Sequence, residues 1–453
     1  MMRLSALASS AVFAFGLSAC APATDPAPEL IVDVHDGEFA TIQQFTTPAG
    51  VSVWLVEEPS IPILSLRMAW PAGQVNDPEG AEGLTAGTMY LMNEGAGDLD
   101  AQGFIKRMED LNMSFGCSAS NESTFCNATM LTDNVDDSFD LITLAFEDPN
   151  FNESSLERYK RELEVSVNER ETDPGYLARR AQIEALYPDH AYARELTMES
   201  VATFSTETMK VQADRILVKE GLMVTAVGAI SPAELAPLID RAVASLPEAG
   251  ETIETEQVVL GEPIADPIVI DLPQPQSSVT FLAPAMKRED PDFYTAVVLN
   301  YTLGGGGFSS RLMKDLRVER GLTYGVYTRV RAGDKLQVWS GGGQTKNESV
   351  GEFIAAIEEN LTTMVEEGMT EEELADAKSY LTGSYPLGFD SNAKIAGNMM
   401  GLRLDDLPVD FFDKRNAMVE AVTLDDVNRV AREYLDPANF TFIVVGQPQG
   451  LDG

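Results

Sequence analysis

Residues 304–326 read GGGGFSSRLMKDLRVERGLTYGV. Four glycines, Gly304 to Gly307, precede a segment in which Phe308, Leu312 and Leu316 recur at every fourth position, the one-faced apolar pattern of a helix. Arg317 falls near the end of that helix, and Gly321 supplies a left-handed cap that lets the chain reverse. Leu322, Tyr324 and Val326 then alternate as a strand does. The reading is a helix–glycine–strand corner that brings a guanidinium and a phenol together. Such a pair can hold a carbonyl oxygen and stabilise one that becomes negatively charged. Taken bare, an Arg in a last helical turn complements the helix dipole and a Tyr in a strand is an ordinary β-former. The rest of the chain has to decide between these readings.

Outward from this corner the chain repeats itself. The first half has strand patterns around 51–56 and 63–69, then helices and a cysteine hairpin, then helical stretches near 137–146 and 154–171. It closes with a helix over 205–219 leading into the strand VTAVG, 224–228. The second half opens with strands at 268–272 and 278–282 and has helices near 350–367 and 371–381, the latter started by a Thr370/Glu373 capping box. It closes with a helix over 424–434, capped by Thr423, leading into FIVVG, 442–446. Neither half alternates strand and helix strictly, so the class is α+β: two homologous domains, each a mostly antiparallel sheet packed with helices. The expected boundaries are 38–247 and 267–453. Between them, 248–266 carries six acidic residues from Glu248 to Asp266 and no Lys or Arg, which reads as a solvated linker or as an acidic edge strand around 257–260.

The chain has 453 residues, 44 % of them hydrophobic, enough for real cores. It carries 72 acidic against 32 basic residues, a net charge of −40. Phosphates are repelled by such a surface, which argues against a nucleic-acid partner. Two histidines, His35 and His190, and three cysteines leave few ligands for a zinc site. The histidines are scattered and lack the one-turn spacing that a helical zinc site needs.

The start, MMRLSALASSAVFAFGLSAC, has one positive charge at Arg3 and an apolar run, and reads as a secretory signal over 1–20. Leu17-Ser18-Ala19-Cys20 resembles the bacterial lipobox, whose cysteine becomes the lipidated first residue; the alternative is ordinary cleavage nearby, with Cys20 incidental. Residues 21–37 would then be a tether, Pro- and Ala-rich at its start, holding the body off the bilayer. No other stretch is long and apolar enough to span a membrane. In FGCSASNESTFCNAT, a two-residue turn at Asn121-Glu122 sets Cys117 opposite Cys126. Cross-strand neighbours come near disulfide reach and an oxidising compartment permits the bond, the alternative being two buried thiols.

The run GGGFSSRLMK…LR…GLTYGVY resembles the signature of the pitrilysin/insulinase family of zinc peptidases, the inverted zincins. The resemblance extends over most of the chain after residue 38 and includes WPAGQVNDPEGAEGLT, similar to the family's approach to its zinc helix. It implies a clamshell of two half-domains in which Arg317 and Tyr324 bind substrate opposite the zinc. Active members carry His-x-x-Glu-His, two imidazoles one turn apart with a Glu that activates the metal-bound water. Here the stretch is Ala86-Gly87-Thr88-Met89-Tyr90. The third ligand position falls at Ser166, with Glu162, Glu164 and Glu169 close by. No nucleophile elbow or phosphate-binding loop offers another chemistry.

Some members of the family divide the work between a zinc-bearing and a zinc-free subunit. The resemblance therefore implies a zinc-free, substrate-binding partner of a heterodimeric peptidase of the bacterial envelope. Such a chain binds no cofactor itself, zinc being carried by a homologous partner. It would hold an extended peptide at a sheet edge near the cysteine hairpin and face the periplasm from a lipid on Cys20, with the outer membrane as one destination. The alternative is a non-enzymatic lipoprotein scaffold or peptide-binding protein on the same fold.

Overall fold

The computed structural model describes residues 30–250 and 255–451. The signal segment with Cys20, and the tether as far as residue 29, lie outside the described residues. Seven strands form the first sheet: β1 Val32–Asp36, β2 Thr41–Thr46, β3 Ser52–Glu57, β4 Ile63–Trp70, β5 Ser114–Ala119, β6 Thr124–Leu131 and β7 Met223–Gly228. Five form the second: β8 Ile268–Asp271, β9 Gln276–Pro284, β10 Thr323–Ala332, β11 Gln337–Lys346 and β12 Thr441–Gly446. Part of the expected tether is therefore structured, since β1 pairs antiparallel with β2 from Val32↔Phe45 to Asp36↔Thr41.

The spatial orders are β1-β2-β3-β7-β4-β6-β5 and β10-β11-β9-β12-β8. Without β1 and β2, and with the second order read backwards, the two sheets have one topology. The last strand of each half inserts between the first two, parallel to one and antiparallel to the other. Central insertion buries both faces of these strands, which explains why MVTAV and TFIVV are mostly apolar and are buried almost without a break. The Val-Gly endings have a steric cause. A Cβ on Gly228 would collide with the Ile63 carbonyl, and one on Gly446 would lie 2.8 Å from Ser277 Cα. Each glycine lets the inserted strand end against the neighbouring backbone.

One face of each sheet is covered by helices of its own half, around cores that include Trp70, Phe104 and Phe139 in the first and Trp339, Phe353 and Leu361 in the second. The other faces are covered by exchange. Helix Asn392–Leu404, from the second half, packs on the first sheet against Trp54, Val56 and Val227. Helix Pro174–Leu186, from the first half, packs on the second sheet against Leu282, Ile443 and Val445. Arg403 locks the first of these contacts by donating to the Ser52 and Val224 carbonyls at 2.9 and 2.8 Å. The segment 255–267 forms no strand, yet the Val258 N–H reaches the Lys335 carbonyl at 2.8 Å and His190 Nε2 bonds the Glu256 carbonyl at 2.9 Å.

Candidate functional site

The Gly304–Val326 corner is wound differently from a regular amphipathic helix. Tyr301–Gly305 and Met313–Glu319 are wide π-helical turns, closed by bonds from Gly306 N–H to Tyr301 O at 2.8 Å and from Arg320 N–H to Asp315 O at 2.9 Å. Gly304 lies on the β10 backbone, where a Cβ would come within 2.7 Å of Thr328 N. Leu312 and Leu316 are fully buried, but Phe308, expected on the same face, is 61 % exposed because the intervening chain breaks into a short 3-10 turn at Gly307–Ser309. The exposed ring has a partner: the Arg317 guanidinium lies over it, 4.4 Å from the centroid. Among the described residues no carboxylate pairs with Arg317, although the chain is strongly acidic. Arg311 ties the corner down through two bonds to Glu373, at 2.8 and 2.7 Å, and one to the Gly368 carbonyl.

Gly321 has φ +67, the left-handed conformation read for it as a cap. The alternation expected of Leu322, Tyr324 and Val326 is interrupted by a bulge between Thr323 and Val326. The Thr323 hydroxyl holds the bulge, accepting the Gly325 N–H at 3.1 Å and donating to the Gln344 carbonyl at 2.6 Å. Val326 therefore turns into the core while Tyr324 is thrown outward, 84 % exposed. Arg317 and Tyr324 thus flank one reversal, with the guanidinium steadied by a ring and the phenol open to solvent.

In the first half, Ala86, Met89 and Tyr90 lie on the short helix Leu84–Tyr90. The segment before it organises its start. Asp77 accepts the Gly83 and Thr85 N–H groups at 2.7 and 2.8 Å and the Thr85 hydroxyl at 2.5 Å. Burial pushes the Asp77 carboxyl up and the Thr85 bonds pull against it. Met89 is fully buried, and Tyr90 stacks on Tyr159 of helix Glu153–Glu169 with centroids 4.8 Å apart. Tyr159 is itself buried, and burial pushes its phenol up to about 12. Ser166 lies exposed farther along that helix; the residue that reaches Tyr90 is Glu162, at 3.4 Å. Arg158 next to it is occupied by Glu94 at 2.7 Å. Nothing local in the sequence marks Tyr159, a core tyrosine, as the floor under Tyr90.

An alanine, a methionine and a tyrosine offer no set of zinc donors, and the stacked rings fill the space beside them. Among the described residues no group of three His, Cys, Asp or Glu side chains is placed to hold a metal ion. His35 is engaged elsewhere, 2.7 Å from Asp413. The residues present do not fit a zinc ion.

The two halves meet where their equivalent hairpins turn. β5 and β6 pair with Cys117 opposite Cys126, the two bonded as a disulfide, and the turn is centred on Asn121-Glu122. The Glu122 carboxylate lies beside Lys335, in the turn between β10 and β11, where burial pushes it up. β5 and β10 are both edge strands, and both end at this junction. Helix Leu84–Tyr90 packs along β5, while Arg317 and Tyr324 stand at the far end of β10. The first half thus carries an unpaired strand edge beside the altered helix, and the second half carries the Arg/Tyr corner at the other end of its own edge strand.

Comparison with known proteins agrees with this arrangement. The family description Insulinase (Peptidase family M16) matches residues 52–200, and Peptidase M16 inactive domain matches 208–381. A protein of Helicobacter pylori described as the non-peptidase homolog YmxG is 25 % identical over 409 residues, spanning 90 % of this chain and 94 % of that protein. A Bacillus subtilis protein described as the uncharacterized zinc protease YmxG is 21 % identical, spanning 86 % and 95 %. The crystal structure of a peptidase M16 inactive domain from Pseudomonas fluorescens superposes with a TM-score of 0.83 at 26 % identity, covering 91 % of this chain and 99 % of that one. The architecture is the α+β clamshell of these proteins, and the chain belongs to the insulinase family, peptidase family M16.

Proposed function

We propose that this protein is the zinc-free, substrate-holding subunit of a heterodimeric metallopeptidase in the bacterial envelope. An extended peptide adds to the free edge of β5, where main-chain bonds provide affinity without demanding one sequence. Arg317 and Tyr324 then grip and polarise a peptide carbonyl from the second half. The metal and its water come from a homologous zinc-bearing partner. The lipid on Cys20 keeps the complex at the periplasmic face of a membrane.

The observation that carries this reading is an asymmetry within one chain. Arg317 and Tyr324 are poised, unpaired by any carboxylate among the described residues, whereas Met89, Tyr90 and Tyr159 fill their side with packed side chains. The test is cleavage by the complex co-purified with its zinc-bearing partner. Arg317→Ala with Tyr324→Phe should abolish turnover while leaving the complex assembled. Undiminished turnover from that double variant would exclude the role.

A second reading has one observation in its favour, the description of the Helicobacter pylori relative as a non-peptidase homolog. On that reading the clamshell binds peptides or scaffolds other proteins without a catalytic partner. A homologous zinc-bearing subunit that co-purifies in equal amount favours the heterodimer, and its absence favours the scaffold.

A further inference from the structure

Beyond Tyr324, strand β10 carries Tyr327, Arg329 and Arg331 at alternate positions, all three exposed. Their register partners on β11 are Gly342, Ser340 and Val338. They occupy the sheet face opposite Val326 and Thr328, which turn into the helical side. Alternation across the bulge sets Tyr324 on their face. The Arg329 guanidinium lies 5.0 Å from the centroid of the Tyr327 ring. Among the described residues neither Arg329 nor Arg331 forms an ion pair, although acidic side chains outnumber basic ones 72 to 32. The strip ends where the halves touch, with Arg331 close enough to Glu122 of the cysteine hairpin to act on its charge. Ser340, beside Arg329, is small, whereas Val338, beside Arg331, is buried in the apolar cluster on that face.

We infer that Arg329 and Arg331 select peptides carrying carboxylates, as a subsite next to the Arg317/Tyr324 grip; this rests on the peptide-holding reading above. Residues two apart on a strand lie about 7 Å from one another on one face. An extended peptide presents its own alternate side chains at the same interval, so acidic residues at alternate positions meet both guanidinia in register. Charge complementarity identifies the occupant. A chain of net charge −40 repels carboxylates over most of its surface, and an unpaired cationic strip is where a peptide acid is tolerated and held. A wholly acidic peptide would still be repelled, so the expected ligand has a few carboxylates in a neutral or basic background. A free peptide C-terminus supplies the same chemistry as a Glu or Asp side chain.

The test is fluorescence anisotropy with the full chain and three extended peptides that share one neutral background. One contains Glu-x-Glu with an amidated end, one Gln-x-Gln with an amidated end, and one Gln-x-Gln with a free C-terminus. The Glu-x-Glu peptide should bind about tenfold more tightly than its amide control, the sum of two partly exposed charge pairs. Arg329→Gln with Arg331→Gln should remove that preference and leave the control unchanged, while Arg329→Lys with Arg331→Lys retains part of it. Tighter binding of the free-ended control alone assigns the subsite to a terminal carboxylate. Equal binding of all three to the wild type overturns the carboxylate subsite while the grip stands. Binding of none overturns the grip and this inference with it.

Discussion

The Arg317 guanidinium is steadied by the exposed ring of Phe308, and the two residues come from opposite ends of the turn that follows the glycine run. The ring gives a long side chain a fixed direction without neutralising it, as a carboxylate would. Exposed contacts of this kind contribute about 0.5–1 kcal/mol. Phe308→Ala should therefore weaken peptide binding by about twofold to fivefold with no change in Tm, and Phe308→Tyr should bind as the wild type does. Anisotropy and thermal unfolding on the same samples check this; a large fall in Tm would make Phe308 a packing residue instead.

The Cys117–Cys126 bond closes a short hairpin at the free edge of the first sheet. A loop of this size restrains the unfolded chain by about 2–3 kcal/mol in the chain-entropy account. Replacing both cysteines by serine should cost about that much in urea unfolding, and wild-type protein in reductant should fall to the same midpoint. Unchanged midpoints in both would show that the pair contributes nothing to stability.

Arg403 is largely buried between helix Asn392–Leu404 and the first sheet, and burial lowers its guanidinium to about 10. No carboxylate compensates it among the described residues; the Ser52 and Val224 carbonyls and the Ser52 hydroxyl do. Arg403→Leu leaves those acceptors in an apolar contact, a cost of about 1–3 kcal/mol for each one left unsatisfied. The variant should unfold at least 2 kcal/mol (about) more easily, read from urea midpoints. A neutral result would mean that water replaces the guanidinium.

Burial raises the Glu373 carboxyl, but the bonds from Arg311 and Thr370 outweigh it and bring its pKa down to about 2. A depressed carboxyl stabilises the fold above its unfolded pKa, and the contribution is lost as pH falls from about 4.5 towards 2. Glu373→Gln should cost roughly 1–2 kcal/mol at pH 7, discounted for partial exposure, and little once the wild-type carboxyl is itself protonated. Urea unfolding of both proteins at pH 7 and below about pH 2 measures the closing gap. A gap of constant size would tie the loss to the capping geometry alone.

Much of this architecture is legible without coordinates. The two helix-to-Val-Gly endings at 228 and 446 announce a repeated half, and the repeat proves to be one strand order used twice. The turn at Asn121-Glu122 sets the cysteine register residue for residue. Where local reading failed, a distant contact had intervened. Phe308 leaves the apolar face because Gly304 must lie on Thr328, twenty-four positions later. Tyr324 leaves the alternation because the Thr323 hydroxyl finds Gln344 across the strand pair.

Sequence by itself determined the α+β class, the duplication, the cysteine hairpin and the family, because each is written in local periods, turn residues and short motifs. Only the tertiary structure decided which helix covers which sheet, that Phe308 lies under Arg317, and that Tyr159 lies under Tyr90. These outcomes depend on surfaces brought together from opposite ends of the chain, as with Arg403 on Ser52 and Glu122 on Lys335. No local pattern encodes a contact whose partner lies hundreds of residues away.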